Sequence, residues 1–270
     1  MALILGIDAA WTETGSSGVA LLNARERVCH LIAVAPSYES FIASADGVAP
    51  KWERKTGRAP DVGSLLRAAS SLGGGRIDVV AIDMPVARVP ITGRRVADDR
   101  ISITFGAARA GTHSPSVVRP GAFGERVARA FVSAGYSLAT NVGQTQSPAL
   151  VEVFPLAALV RLMKLSTRPP YKTAKTSRYW PGKTRQWRIN QLLRSWSEIL
   201  TALELDIANI RRRIPLPTAP SAIAHLKPYE DALDAIICAW IGACVVQGKA
   251  DPFGDQSAAI WVPTAIRGNV

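Results

Sequence analysis

Apolar runs of strand length crowd the first third of the chain, and helical periods dominate later. LILGID (3–8) reads as a buried strand, and SGVALLNA (17–24) as a second, with Gly15 to Gly18 turning the chain between them. VCHLIAVA (28–35) follows the polar stretch NARER as a third. Three short strands joined by tight turns predict an antiparallel meander. A helix is expected around 37–45. Another is expected over 61–72, where DVGSLLRAASSL opens on Asp61 as an N-cap and stops at Gly73-Gly74-Gly75. IDVVAID (77–83) is the continuous apolar pattern of a strand covered on both faces.

Residues 88–121 read as an irregular loop insert, rich in polar residues, Gly and Pro. AFGERVARAFVSAGY (122–136) carries Phe123, Val127, Ala130, Phe131 and Ala134 at helical spacing, with Gly135 near its end. ALVEVFPLAALVRLM (149–163) starts as a strand and turns helical after Pro155. The stretch 185–210 predicts one long amphipathic helix, striped by Ile189, Leu192, Trp196, Ile199, Leu203 and Ile207. Trp196 is assigned to the core. PYEDALDAIICAWIGACVVQG (228–248) predicts a final helix, with Pro228 in its first turn and Gly248 past its end. A meander feeding parallel strands through crossover helices is mixed α/β.

The chain has 270 residues, 48% of them hydrophobic, enough for one large core or two small ones. The apolar opening is interrupted by Asp8 and lacks a basic leading region, so it does not read as a signal peptide. The longest apolar stretch, 235–246, is too short to span a bilayer. No membrane association is expected. Cys29, Cys238 and Cys244 form no CxxC pair and read as buried, reduced thiols of a cytoplasmic protein. The three histidines are scattered, which argues against a zinc site.

Charge changes the picture. The formal net charge is +11, which suggests a polyanionic partner. Thirteen Lys and Arg residues between Arg161 and Arg213 face only Glu198, Glu204 and Asp206. Tyr171, Tyr179, Trp180 and Trp187 are interleaved with them. Cations neutralise phosphates and aromatic faces stack on bases, so this basic insert (about 165–213) suits nucleic acid, DNA or RNA. Lys172, Arg178, Lys183 and Arg185 are its candidate backbone contacts. A solvated charged face over core tryptophans is the plainer alternative.

Four acids stand out. Asp8 and Asp83 each end an apolar strand, near the carboxyl edge where open α/β sheets bind ligands. Asp231 and Asp234 sit three apart at the start of the last helix, on one face, where like charges repel unless a cation joins them. A helix start favours acids and accounts for Asp231 alone. It does not account for Asp234, which precedes an almost wholly apolar run. Carboxylates converging from distant segments call for a divalent cation, Mg²⁺ or Mn²⁺. Two such ions support phosphodiester cleavage. Asp8 is then a metal ligand; the alternative is a turn-forming acid. Trp11 beside it is either core or a stacking platform.

Together GIDAAW…SGVALL, AIDMPVA, GRRVADDRISITFGAARAGTHSP, EVFPLAAL, YKTAK…RYWPGKTR and EDALDAIICAWIGA resemble domain-of-unknown-function family 429, described as predicted nucleases of the RNase H-like superfamily. The resemblance runs from Gly6 to the IWVP stretch. It implies one RNase H-like domain over 1–270, with a five-stranded mixed sheet whose first three strands are antiparallel, flanked by helices. It places the superfamily's acids on Asp8, Asp83, Asp231 and Asp234, most like the Holliday-junction resolvase branch, and a further family acid on Glu152, a ligand or a loop anchor. Arg109 and His113 fall in its R…GTHSP stretch, which implies phosphate contact for Arg109 and substrate orientation for His113, with ordering of the long loop the alternative for both. The activity implied is that of a hydrolase cleaving phosphodiester bonds. A non-catalytic nucleic-acid-binding protein and an ATP-using phosphotransferase on a related fold, the latter drawing on TGSSG (14–18), are the competing readings.

Overall fold

A computed structural model describes residues 2–24, 28–53, 56–145, 148–218 and 220–265. The turn expected at 23–27 lies outside the described residues at positions 25–27. The chain opens with β1 (Leu3–Asp8), β2 (Gly18–Asn23) and β3 (Cys29–Ala35), followed by α1 (Tyr38–Ser44), α2 (Val62–Gly73) and β4 (Val79–Ile82). Then come α3 (Val96–Phe105), α4 (Gly121–Ser133), β5 (Ser137–Leu138), β6 (Ala149–Val153) and α5 (Pro155–Leu162). The remainder holds α6 (Thr176–Tyr179), α7 (Arg185–Leu203), β7 (Ile207–Ala208), α8 (Ile210–Arg213), α9 (Lys227–Val246), β8 (Ala250–Gly254) and β9 (Ala259–Pro263).

Among the described residues, nine strands form one mixed sheet in the order β7-β3-β2-β1-β4-β6-β9-β8, with β5 also paired to β6. The first three strands are antiparallel, as expected. β4 joins β1 in parallel, β6 joins β4, and β9 joins β6. The expected five strands are therefore too few. Two of the additions, β8 and β9, form an antiparallel pair that follows α9, so that helix is not the last element. Another, β7, cuts short the helix expected over 185–210. α7 ends at Leu203, and Ile207 leaves the helical stripe to pair in parallel with Cys29. The chain leaves this strand through Asn209, whose φ of +65 no helix interior accepts. The region 88–121 also departs from expectation, because it contains α3. Its sequence looks like loop since its helical face is short. Arg95 and Asp98 close a capping box at its start instead.

Strand alternation distributes the core. Leu3, Leu5, Ile7, Val80 and Ile82 pack on one side of the sheet, against α1, α2 and α4. Ile4, Val79, Ala81, Val151 and Val153 pack on the other, under α7 and α9. α2 starts and stops where its caps require. Asp61 accepts the Ser64 N–H at 3.1 Å, and Gly74 takes a φ of +68. Trp196 is fully buried, its indole N–H donating to the Tyr171 carbonyl at 2.7 Å. Among the described residues no helix is long and apolar enough to cross a membrane.

α9 is buried along nearly its whole length. It lies directly on the backbone of β1 and β2, made possible by two glycines. A Cβ on Gly6 would stand 2.3 Å from both the Ala235 carbonyl oxygen and the Ala239 nitrogen. One on Gly18 would stand 1.9 Å from the Asp231 carbonyl oxygen. This seating brings the start of α9 over the end of β1.

Candidate active site

The parallel pairing of β1 with β4 sets Ile7 beside Ile82, so Asp8 and Asp83 leave the sheet side by side. The Asp83 N–H donates to the Ile7 carbonyl at 2.9 Å, which carries the pairing to the strand ends. Alternation decides their direction. Gly6 and Ala81 face α9, so Asp8 and Asp83, two residues on, share that side. Asp231 and Asp234 descend from α9 and are almost fully buried. The four acids predicted from the sequence are therefore close enough to feel one another's charge, Asp8 that of Asp234 and Asp231, and Asp83 that of Asp234.

Two lysines enter the cluster. Lys172 forms an ion pair with Asp234 and stands 3.8 Å from Glu230. Lys227 pairs with Asp231 and donates to Glu230 at 2.9 Å. Tyr171 donates its hydroxyl to Asp234 at 2.8 Å, Ser16 donates to Asp231 at 2.5 Å, and the Thr173 N–H donates to Glu230 at 2.5 Å. Glu230 alone gains enough from its partners to ionise readily. Burial opposes this, but Lys172 and Lys227 outweigh it and hold its carboxyl below the usual range.

The other acids lean the opposite way. Burial lifts Asp8 well above the carboxylate range, and the nearby charges of Asp234 and Asp231 add to it, against Lys172 and Lys227. Asp83 is pushed up to about 7 by burial, with Asp234 and Glu152 adding and Lys172 opposing. Asp231 and Asp234 are raised by burial despite their lysine partners. The site thus has more negative charge than its lysines compensate.

That imbalance has a measurable pH dependence. A carboxyl whose pKa is higher in the folded than in the unfolded chain stabilises the fold fully below the unfolded value. The contribution is lost as pH rises through the folded value, for Asp83 between about 4 and about 7. In EDTA, Asp83→Asn is expected to be more stable than the wild type at pH 8, by an amount on the order of 2–4 kcal/mol, and to converge with it toward pH 4. Urea midpoints across this range check the sign. A variant less stable than wild type at pH 8 would show that the ionised Asp83 is needed by the fold.

Glu152 behaves differently. Its neighbours Val151 and Val153 face α9, so its own side chain falls on the other side of the sheet. There Arg95 grips both carboxylate oxygens at 2.7 Å, and the Val86 N–H donates at 2.9 Å. The same guanidinium donates twice to Asp98 at 3.0 Å. Glu152 borders the site with its oxygens committed to anchoring the 93–121 segment. Such a buried pair, broken on one side, leaves an uncompensated charge.

Two depressions meet over the acids. One, of about 660 Å³, is lined by Asp8, Trp11, Ser16, Arg119, Lys227 and Asp231 among others. The second, of about 560 Å³, is bordered by Asp83, His113, Glu152, Arg168, Lys172 and Lys175, and again by Trp11 and Arg119. Trp11 is half-buried, with the Arg119 guanidinium 5.7 Å above its ring. It belongs to the cleft wall as much as to the core. His113 is exposed on the second depression. Arg109 lies elsewhere, in the turn that closes α3, with a φ of +57 and its N–H donating to Gly106 at 2.8 Å. Arg178, Lys183 and Arg185 are exposed beyond the cleft, around α6 and the start of α7. Lys227, Glu230, Ser16, Arg95 and Arg119 escaped the sequence reading. Lys227 stood one turn before Asp231, which was the one local signal available.

Among the described residues no group of three or more His, Cys, Asp or Glu side chains is drawn together so as to hold a metal ion. By chemistry alone the donors are of the kind a hard divalent cation takes. They are oxygen donors from two strand ends and one helix, and burial has left several of them short of positive charge.

Fold and site define a mixed α/β protein that gathers four carboxylates under one helix, beside a cleft lined with basic side chains. The chain belongs to the DUF429 family, described as a protein of unknown function, whose model matches residues 6–259. No curated protein and no solved structure matches it.

Proposed function

We propose that this chain is a metal-dependent nuclease on an RNase H-like fold. The observation that carries the reading is the convergence of Asp8, Asp83, Asp231 and Asp234 beside a cleft bordered by Arg119, Arg168 and Lys175. The strand order β3-β2-β1-β4-β6, with its first three strands antiparallel, supports the fold assignment. Asp8, Asp83, Asp231 and Asp234 would hold Mg²⁺ or Mn²⁺. When bound, such an ion supplies Lewis-acid activation of the phosphodiester and of the attacking water. The chain's own residues do the rest. Arg119, Arg168 and Lys175 hold the phosphate backbone, and His113 lies where it can orient the substrate. Lys172, which lines the cleft beside Asp234, would be a further phosphate contact.

A second reading has one observation in its favour. Lys172 and Lys227 already neutralise part of the acid cluster, as they would in a nucleic-acid-binding protein without catalysis. Incubation of end-labelled single-stranded, duplex, hybrid and branched nucleic acids with Mg²⁺, Mn²⁺ or EDTA separates the two. The expected result is cleavage with metal and none in EDTA, together with a rise in Tm on adding metal that is larger at pH 8 than at pH 5, where protons compete for the acids. Binding without cleavage in every metal, with no metal-dependent rise in Tm, would establish the second reading.

A further inference from the structure

No acid interrupts the chain between Glu152 and Glu198, a stretch that carries ten Lys and Arg residues. Within it, three aromatic rings form a ladder. Tyr179 meets Trp180 edge-on at 5.6 Å between centroids, and Trp180 meets Trp187 edge-on at 5.9 Å. The Lys183 ammonium stands 5.4 Å over the Trp187 ring, which is 38% exposed. Trp180 also packs on the core beneath α7, so the ladder is anchored at its middle.

The ladder begins where the cleft ends. Tyr179 lies within the electrostatic reach of Arg168 and Lys172, both of which line the cleft, and of Glu230. From there it runs outward to Trp187. Arg188, the next residue, is half-buried; its Nε lies out of reach of solvent with no hydrogen-bond partner among the described residues, and adds one more cation behind the ladder.

We infer that residues 176–188 form a stacking platform for unpaired nucleotides beside the cleft. The assignment rests on the nuclease reading for what the neighbouring cleft does. Bases in a continuous duplex turn their faces to one another and offer no ring to Trp187 or Tyr179. Bases in a single strand, an overhang or a splayed junction do. Arg178, Lys183 and Arg185, exposed around the same rings, provide the phosphate contacts that accompany stacking. The substrate class is thus nucleic acid that presents single-stranded nucleotides next to the bond to be cut.

Fluorescence anisotropy in EDTA tests this without calling on cleavage. The probes are a labelled 20-mer single strand, its blunt duplex and a duplex with a ten-nucleotide overhang, each made as DNA and as RNA. The single strand and the overhang are expected to bind about tenfold more tightly than the blunt duplex. Trp187→Ala is expected to weaken single-strand binding roughly five- to tenfold and to leave duplex binding unchanged. Trp187→Phe should restore most of the loss. The ring is partly exposed, so far-UV circular dichroism should match wild type in both variants. Equal or tighter binding of the blunt duplex, or a Trp187→Ala effect equal on all probes, would overturn the platform. Metal-dependent cleavage would then still stand on its own assay. Loss of that cleavage reading, with single-strand preference intact, would leave the platform in a binding protein.

Discussion

Gly6→Ala is expected to cost more than about 3 kcal/mol of folding stability, and to leave little folded protein at 37 °C. The added methyl would stand 2.3 Å from two backbone atoms of α9, the Ala235 carbonyl oxygen and the Ala239 nitrogen. Neither can turn aside as a side-chain tip would. The relief available is to lift α9 off the sheet. That opens the largest core cluster, since Ala232, Leu233, Ile236 and Ile237 go with it. It also withdraws Asp231 and Asp234 from Asp8. Gly74→Ala is the control. Its φ of +68 is strained for alanine, yet nothing lies within 4 Å, and a cost of about 1 kcal/mol is expected. Urea denaturation of both variants checks the contrast. Similar, small losses would mean that α9 is not seated as closely as the glycines require.

If the proposed nuclease reading holds, Asp8→Asn is expected to reduce metal-dependent cleavage about 10³-fold, equivalent to about 4 kcal/mol of transition-state stabilisation. In EDTA at pH 8 the same substitution should raise the Tm. Burial and the charges of Asp234 and Asp231 already disfavour the ionised form of Asp8, and asparagine keeps the shape without the charge. A stabilised, inactive variant is the signature of a residue held for chemistry against the interest of the fold. A destabilised variant that still cleaves would make Asp8 a turn-forming acid instead, and move the metal to other residues.

Much of the site was readable because its signals are local. An acid ending an apolar strand is anomalous in itself, and it marked Asp8 and Asp83 before their partners were known. The pair Asp231 and Asp234 was visible because helical spacing puts both on one face of a helix otherwise apolar all round. Caps were equally local, and Asp61 and Gly74 bound α2 where their chemistry demands. What stayed hidden depends on distance along the chain. Arg95 meets Glu152 across 57 residues, so nothing near Glu152 shows that its oxygens are taken. Lys172 reads as one more cation in a basic run, while its neighbour in space is Asp234. Ile207 keeps the helical period of α7 and yet is a strand residue, because pairing with β3 outweighs periodicity over so short a span. β8 and β9 were missed for want of a strong pattern. They hold to each other and to β6 rather than to any sequence neighbour.

The five hydrogen bonds from the Arg95 guanidinium to Glu152, Asp98 and the Val86 carbonyl have a mechanical consequence. They clamp the root of the 93–121 segment to the end of β6, while its far end carries Val117 and Val118 into solvent, 63% and 86% exposed. The segment is therefore tied at its root, and near its other end carries a solvent-facing turn one residue before Arg119 settles over Trp11. Exchange of the turn around Val117 and Val118 acts first on Arg119 and the cleft wall at Trp11, while the root stays tied through Arg95 to Glu152. The wall of the cleft can thus vary at this turn while the anchor at Glu152 stays the same.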